Sequence, residues 1–199
     1  MSALIRKIPL IFFDRVPESL AATKVVVDDF RGAFEAVSHL AQRGYKNVAH
    51  ISGPKNLAIS YERERGYKEA LKHYALNFDE NMVVSGGLWE EDGKKGVQHL
   101  LKKNKKIDAL FAVNDPVAIG AYQLIKKMGL HIPDDIALVG FSNNPITAII
   151  DPALTTVDQP SYEMGRRAAE LLFYQIDNGD NGDMKKEVLR TKLIIRQST

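Results

Sequence analysis

The chain is 199 residues long, 45% hydrophobic and 26% charged, in the range of an ordinary globular protein with one large domain or two small ones. Its net charge of +2, from Lys+Arg 27 against Asp+Glu 25, does not argue for nucleic-acid binding by this chain. Cys is 0, which removes disulfides and thiolate chemistry and fits a cytoplasmic protein; no apolar run approaches the ~20 residues of a membrane span or forms a signal-peptide core.

Ile8-Pro9-Leu10-Ile11-Phe12-Phe13 predicts a strand ending in the acid and base Asp14-Arg15. Val25-Val26-Val27 is a second apolar run, closing on Asp28-Asp29. Phe30, Ala33, Phe34, Val37, Leu40 and Ala41 have helical spacing, predicting a helix over 30–43 that Asp28 or Asp29 caps and Gly44 ends. Strands are then predicted at 48–52, 82–85, 109–113 and 136–141. Helices over 62–74, 92–103 and 116–128 follow the first three, and a short helix or turn at 145–150 follows the last. Pro116 takes the favoured first helical position and Gly129 follows that helix's end.

Strands ~30 residues apart, alternating with helices, predict an α/β fold on a doubly wound parallel sheet. The rhythm changes after this series. Residues 154–160 are extended, 161–176 form a long helix, Asn178-Gly179-Asp180-Asn181-Gly182 is a turn cluster, and 186–196 is a final strand. The unpartnered strand at the front and the helix at the back predict a second, incomplete lobe built from about residues 1–27 and 160–184.

Three of the predicted strands end alike, in a small polar tip closed by proline: Ser52-Gly53-Pro54, Asn114-Asp115-Pro116 and Ser142-Asn143-Asn144-Pro145. The carboxyl ends of strands in an open parallel sheet face the ligand crevice, so these tips are expected to line a binding site. Asp14, Asn114, Asp115, Ser142, Asn143, Gln159 and Arg63, at the start of the helix after Ser60, supply the paired donors and acceptors that vicinal hydroxyls or a ring-nitrogen edge require. Trp89, Tyr61 and Phe141 offer an apolar or stacking face.

Catalytic and metal readings find less support. Gly140-Phe141-Ser142-Asn143-Asn144 departs from the nucleophile elbow at its last position, and no histidine follows the serine, His131 being the last of the five. His39, His50, His73, His99 and His131 show no paired metal spacing. A calcium loop opening at Asp177 has Gly179 at position 3 and Val188 at position 12. There is no Walker loop or dinucleotide fingerprint, and the run Lys102-Lys103-Asn104-Lys105-Lys106 suits a solvated helix end. The expectation is a binding protein, not an enzyme, with no cofactor and no metal.

Six stretches stand in order across nearly the whole chain: Val27-Asp28-Asp29-Phe30-Arg31-Gly32-Ala33, Gly44-Tyr45-Lys46-Asn47-Val48-Ala49-His50-Ile51-Ser52-Gly53-Pro54, Arg63-Glu64-Arg65-Gly66-Tyr67, Phe111-Ala112-Val113-Asn114-Asp115, Ile132-Pro133-Asp134-Asp135-Ile136-Ala137-Leu138-Val139-Gly140-Phe141 and Pro152-Ala153-Leu154-Thr155-Thr156-Val157-Asp158-Gln159-Pro160. Together they resemble the regulatory core of the lactose-repressor/galactose-repressor (LacI/GalR) family. The resemblance implies a periplasmic-binding-protein-like type I sensor of two lobes closing on a small effector, with the C-terminal lobe complete and the N-terminal lobe partial. Residues 1–27 and 159–185 would form the partial lobe; 28–158 and a final strand in 186–199 would form the complete one.

The same resemblance implies a cytoplasmic bacterial transcription regulator acting as a homodimer, with Ile119 and Ile150 at the dimer contact. Ligand contacts are expected at Asp14, Arg63, Leu88, Asn114, Ser142 and Gln159, with Ser60, Trp89, Asp115, Phe141 and Asn143 as further candidates. The family's helix-turn-helix, hinge helix and first half of the N-lobe have no counterpart in this sequence, so operator DNA is expected to be bound only through such an N-terminal domain. Ser142 stands where relatives usually keep an aspartate. Losing that carboxylate while keeping Arg63 favours an anionic ligand, so a sugar acid joins sugars and nucleobase-like compounds as the expected effector. The alternative on the same fold is a periplasmic sugar-binding protein serving a transporter; the segment 154–160 favours the regulator.

Overall fold

The computed structural model describes residues 9–17, 20–103, 106–178 and 184–199. The chain divides into two compact units, Met1–Asp28 with Pro160–Arg190 and Asp29–Gln159 with Thr191–Thr199.

The first unit is a three-stranded parallel sheet in which β2 (Lys24–Val27) lies between β1 (Phe12–Phe13) and β8 (Lys186–Leu189). The helix α5 (Ser161–Asn178) buries Met164, Ala168 and Leu171, the one-face spacing of an amphipathic helix, and packs along β1 and β2. A forked ion pair from Arg167 to Glu187, at 2.7 Å, ties the same helix to β8. Of the strand predicted over 8–13, residue 8 lies outside the described residues; from Pro9, which has no N–H to give to a ladder, pairing begins only at Phe12.

The larger unit opens with α1 (Asp29–Gln42), followed by β3 (Val48–Ser52), α2 (Ala58–His73), β4 (Val83–Ser85) and α3 (Glu90–Lys102). It continues with β5 (Ala109–Ala112), α4 (Asp115–Lys127), β6 (Ala137–Ser142), β7 (Thr155–Asp158) and, after the excursion through the first unit, β9 (Lys192–Ile194). The sheet order is β4-β3-β5-β6-β7-β9, parallel throughout except for β9. β3 and β5 are buried along their whole length, which explains why they are uninterrupted apolar runs and not alternating ones. The helices cover both faces in pairs, α1 with α2 and α3 with α4.

Two further differences from the sequence prediction have physical reasons. The helix α2 starts at Ala58 instead of 62; its N-cap Leu57 makes no side-chain bond, and burial of Ile59 and Ser60 holds the first turn where no capping signal exists. The single strand predicted over 186–196 is two strands. β8 runs parallel to β2 and β9 antiparallel to β7, so the chain must break between them, at Arg190 and Thr191, where it passes from one unit to the other. The predicted turn cluster at 178–182 falls, beyond Asn178, outside the described residues.

The α3–α4 pair meets backbone to backbone. A Cβ added at Gly120 would stand 1.7 Å from the Glu90 carbonyl oxygen, and one at Gly93 2.0 Å from that of Val117. By contrast nothing lies within 4 Å of a Cβ at Gly165, in the middle of α5. Gly120→Ala is therefore expected to lower stability by about 1–3 kcal/mol through forced helix separation. Gly165→Ala is expected to raise it by about 0.4–1 kcal/mol by restricting the unfolded chain. Urea denaturation midpoints of the two variants check both signs.

Candidate ligand-binding edge of the larger sheet

From β3 the chain steps to β4 on one side, then crosses back to β5 on the other and continues to β6 and β7. Right-handed crossovers in opposite directions put α2 on one face and α3 and α4 on the other, and they leave a topological switch point between β3 and β5. Open α/β sheets receive ligands outside the carboxyl ends of the strands at this place. The switch point is flanked here by Ser52-Gly53 and Val113-Asn114.

Arg63 crosses it. The side chain comes from α2 and is only 2% exposed. Its Nε donates to Asp29 Oδ1 at 2.8 Å and its Nη2 lies 2.6 Å from the same oxygen, while Nη1 donates to the Val113 carbonyl at 2.6 Å. The guanidinium carbon sits 3.6 Å above the centre of the fully buried Phe141 ring. One cation thus joins the start of α1, the end of β5 and the end of β6.

The adjacent tips are equally well held. Asn114 caps α4 by accepting from the Val117 N–H at 3.0 Å, and its Nδ2 donates to the Leu88 carbonyl at 3.0 Å. Asp115 is fully buried; it accepts from the Thr156 hydroxyl at 2.6 Å and from the Asn144 N–H at 2.7 Å. Burial pushes its pKa above the usual carboxylate range, and the hydrogen bonds from Thr156 and Asn144 pull it part of the way back. The carboxylate fits only because residue 140 is glycine: a Cβ there would come within 2.2 Å of Asp115 Oδ1. Beyond it, Ser142 and Asn143 have φ of 122° and 54°, a backbone that side chains rarely adopt. Asn143 is clamped in that shape, its Nδ2 donating to Asp158 at 2.8 Å and its Oδ1 accepting from Arg196 Nη2 at 2.8 Å.

Of the sequence candidates, Arg63, Leu88, Asn114 and Ser142 come together at this edge, with Gln159 ending the segment after β7. Phe141, Asp115, Asn143 and Asn114 belong to its frame: the first two have no exposed surface, and the amides of the other two are bonded at both ends. Leu88 packs into the core cluster with Ala112 and Val113. Ser60 is buried, its hydroxyl without a hydrogen-bond partner, and Trp89 is exposed. Asp14 belongs to the other unit, where its N–H donates to the Val25 carbonyl and its carboxylate lies 3.7 Å from Arg15 Nε. Of the two residues expected at a dimer contact, Ile119 is 7% exposed, closed in by its own chain, and Ile150 is partly buried against the core.

Sequence reasoning missed Asp29, Thr156, Asp158 and Arg196. Asp29 was legible as an acid after an apolar run, yet its charge serves Arg63 and not merely the helix start. That pairing also removes the basis for expecting an anionic ligand, because the Arg63 charge is already balanced inside the protein. Among the described residues, no group of three or more His, Cys, Asp or Glu side chains could hold a metal ion, and no helix is long and apolar enough to cross a membrane.

A buried histidine lies beneath this edge. His50, in β3, stacks between Phe111 at 4.9 Å and Tyr67 at 5.2 Å. Since a carbonyl only accepts, its Nδ1 must carry the proton donated to the Phe111 oxygen at 2.9 Å, leaving Nε2 buried without a partner. Burial lowers its pKa to about 4.

Residues 37–199 match the family model of the periplasmic binding protein-like domain. The chain is 34% identical over 191 residues to the HTH-type transcriptional repressor CytR of Escherichia coli (strain K12), covering 96% of this chain and 56% of that protein. It is 35% identical over 193 residues to the ribose operon repressor of Halalkalibacterium halodurans, covering 96% of this chain and 56% of that protein. Among solved structures, a transcriptional regulator CelR–cellobiose complex superposes with a TM-score of 0.88 at 31% identity, over 95% of this chain and 58% of that one. The chain therefore spans about half the length of the curated relatives it matches.

Two outcomes follow from the buried charges. Asp29→Asn strands the guanidinium and is expected to cost about 3–5 kcal/mol, whereas the double variant Asp29→Leu with Arg63→Met is expected to cost less than either single change. A double-mutant cycle by chemical denaturation checks this. His50 folds neutral and is protonated more readily when unfolded, so its contribution is present above pH 6.5 and is lost as pH falls from 6.5 toward 4. That loss amounts to about 3 kcal/mol. His50→Phe is expected to flatten the stability curve in that window, read from denaturation midpoints across pH.

Proposed function

We propose that this chain, which belongs to the periplasmic binding protein-like domain family in the form carried by LacI-type transcriptional regulators, is the effector-sensing portion of such a regulator in the bacterial cytoplasm. It binds a small ring compound at the carboxyl edge of its larger sheet, and occupancy alters DNA binding by a helix-turn-helix outside the span described here. The effector acts through its preference for one conformation of the sensor over another. The observation that carries this reading is the clamped Arg63 at the switch point, which together with the capped Asn114 makes a rigid frame beside Ser142. Rigid donors and acceptors suit recognition, since a pre-organised site loses little freedom on binding.

Neutral sugars and nucleobase-like ligands fit this edge better than a sugar acid, because Asp29 already balances Arg63. The relatives are regulators by name, which favours this reading over a transporter's binding protein and over an enzyme. A homodimer is part of the proposal; Ile149, 81% exposed beside Ile150, and Ile146, 40% exposed, are apolar side chains in that region available to a second copy.

The test is isothermal calorimetry and thermal shift on the protein with cellobiose, ribose and glucuronate. A neutral sugar is expected to raise the melting temperature, a ligand at a hundred times its Kd adding about 2.7 kcal/mol of stability. Ser142→Ala is expected to weaken that sugar about three- to ten-fold, the worth of one hydrogen bond, with little change in the unliganded melting temperature. Binding of glucuronate alone would reverse the preference for a neutral ligand, and no binding by any of the three would count against the sensor reading.

A further inference from the structure

Ser142 ends β6 beside its register partner on β7, Asp158. Among the described residues its half-buried hydroxyl makes no hydrogen bond, in contrast to the amides of Asn114 and Asn143 and the carboxylate of Asp115. With no internal bond to orient it, the hydroxyl takes its direction from the backbone, and that backbone is unusual, with φ of 122° at Ser142 and 54° at Asn143. A strained tip keeps one shape only where its surroundings hold it there.

Three bonds hold Asn143, the residue after this free hydroxyl. Its N–H donates to Thr156 Oγ1 at 3.3 Å, its Nδ2 donates to Asp158 Oδ1 at 2.8 Å, and its Oδ1 accepts from Arg196 Nη2 at 2.8 Å. The first two partners lie on β7, next to β6; Arg196 comes from the segment after β9, 53 positions along the chain. Among the described residues Arg196 forms no ion pair with a carboxylate. Instead the Asn143 amide stands between this cation and the Asp158 carboxylate, and both of its bonds are charge-assisted. The other guanidinium nitrogen, Nη1, donates to the Leu154 carbonyl at 2.7 Å and to Thr147 Oγ1 at 3.1 Å. Thr147 is fully buried and donates both its N–H and its hydroxyl to the Asn144 carbonyl, at 2.9 and 2.6 Å. One guanidinium thus pins the loop after β6 at Asn143, at Thr147 and at Leu154. Only a planar fork delivers these bonds in one fixed geometry; a lysine ammonium is a point charge on a flexible stem.

We propose that Arg196 is a positioning residue of the effector site: through the Asn143 amide it fixes the backbone that aims the Ser142 hydroxyl, and it acts on the ligand through that hydroxyl. This inference rests on the sensor function proposed above. A hydroxyl already aimed loses little freedom when a ligand binds, whereas a released tip must be ordered by the ligand, which lowers affinity.

Arg196→Lys keeps the charge and removes the fork. By calorimetry it is expected to weaken whichever of cellobiose, ribose and glucuronate binds the parent by about three- to ten-fold, the scale of ordering one side chain on binding. Non-additivity separates positioning from mere support: in the Ser142→Ala background the same change is expected to leave affinity within about two-fold of Ser142→Ala alone. Asn143→Gly cuts the same bridge while keeping a backbone that glycine adopts freely, and it is expected to show the same weakening and the same dependence on Ser142. If Arg196→Lys does not fold, the cycle of Asn143→Gly with Ser142→Ala decides. A folded Arg196→Lys with a lowered melting temperature and unchanged affinity overturns the positioning role. So does a double variant whose loss equals the product of the two single losses. Both outcomes leave the sensor function standing. No binding of any of the three compounds by the parent overturns both readings.

Discussion

A guanidinium that is 2% exposed must be neutralised within the protein, and the larger unit is arranged around meeting that demand for Arg63. The countercharge comes from Asp29 at the start of α1, the carbonyl from Val113 at the end of β5, and the ring face from Phe141 at the end of β6. These groups are far apart in sequence. Removing Asp29 leaves an unpaired charge in a low-dielectric interior, and removing either of the others leaves that charge less well solvated, so the relative placement of two helices and two strands is constrained more sharply than apolar packing alone would require. The family's signature stretches around Asp29, Arg63, Val113 and Phe141 therefore describe one physical object.

The second network does the same on the other side of β6. Asp115, Thr156 and the Asn144 N–H tie α4, β7 and the loop after β6, while Asn143, Asp158 and Arg196 tie that loop to β7 and to the segment following β9. Together these bonds hold Ser142 and Asn143 at positive φ, a conformation worth about 1–3 kcal/mol of strain per residue, which persists only where the surroundings over-determine it. Strand tips that look like a row of ligand contacts in sequence are in large part internal scaffold. A polar residue at a strand end is as apt to be spent on orienting its neighbour as on touching a ligand.

Much of the fold was legible because its physical causes are local. The strands at Val48–Ser52, Ala109–Ala112 and Ala137–Ser142 are apolar runs too short for helices, and their spacing with helices between them permits essentially one topology once crossovers are right-handed. The helix Asp115–Lys127 announced itself through an Asn114 cap and Pro116. The early start of α2 was not legible, because burial of Ile59 and Ser60 replaces the missing cap and burial is not written locally. The splitting of 186–196 into β8 and β9 was hidden for a similar cause: no glycine or proline marks it, and the break exists only because the two strands serve different sheets.

The sequence by itself determined the α/β class, the order of strands and helices, the family and the edge at which a ligand is to be sought, since all of these follow from periodicity, caps and motifs carried within short stretches. The tertiary structure decided which of the polar tips are frame and which are open. Arg63 is neutralised by a residue 34 positions away and Asp115 is hydrogen-bonded by one 41 positions away, so neither could be told from a free ligand contact along the chain. Exposure is the other quantity that only the folded chain possesses: Phe141 and Trp89 are equally plausible stacking surfaces as letters, but one is sealed beneath a guanidinium and the other is 68% exposed.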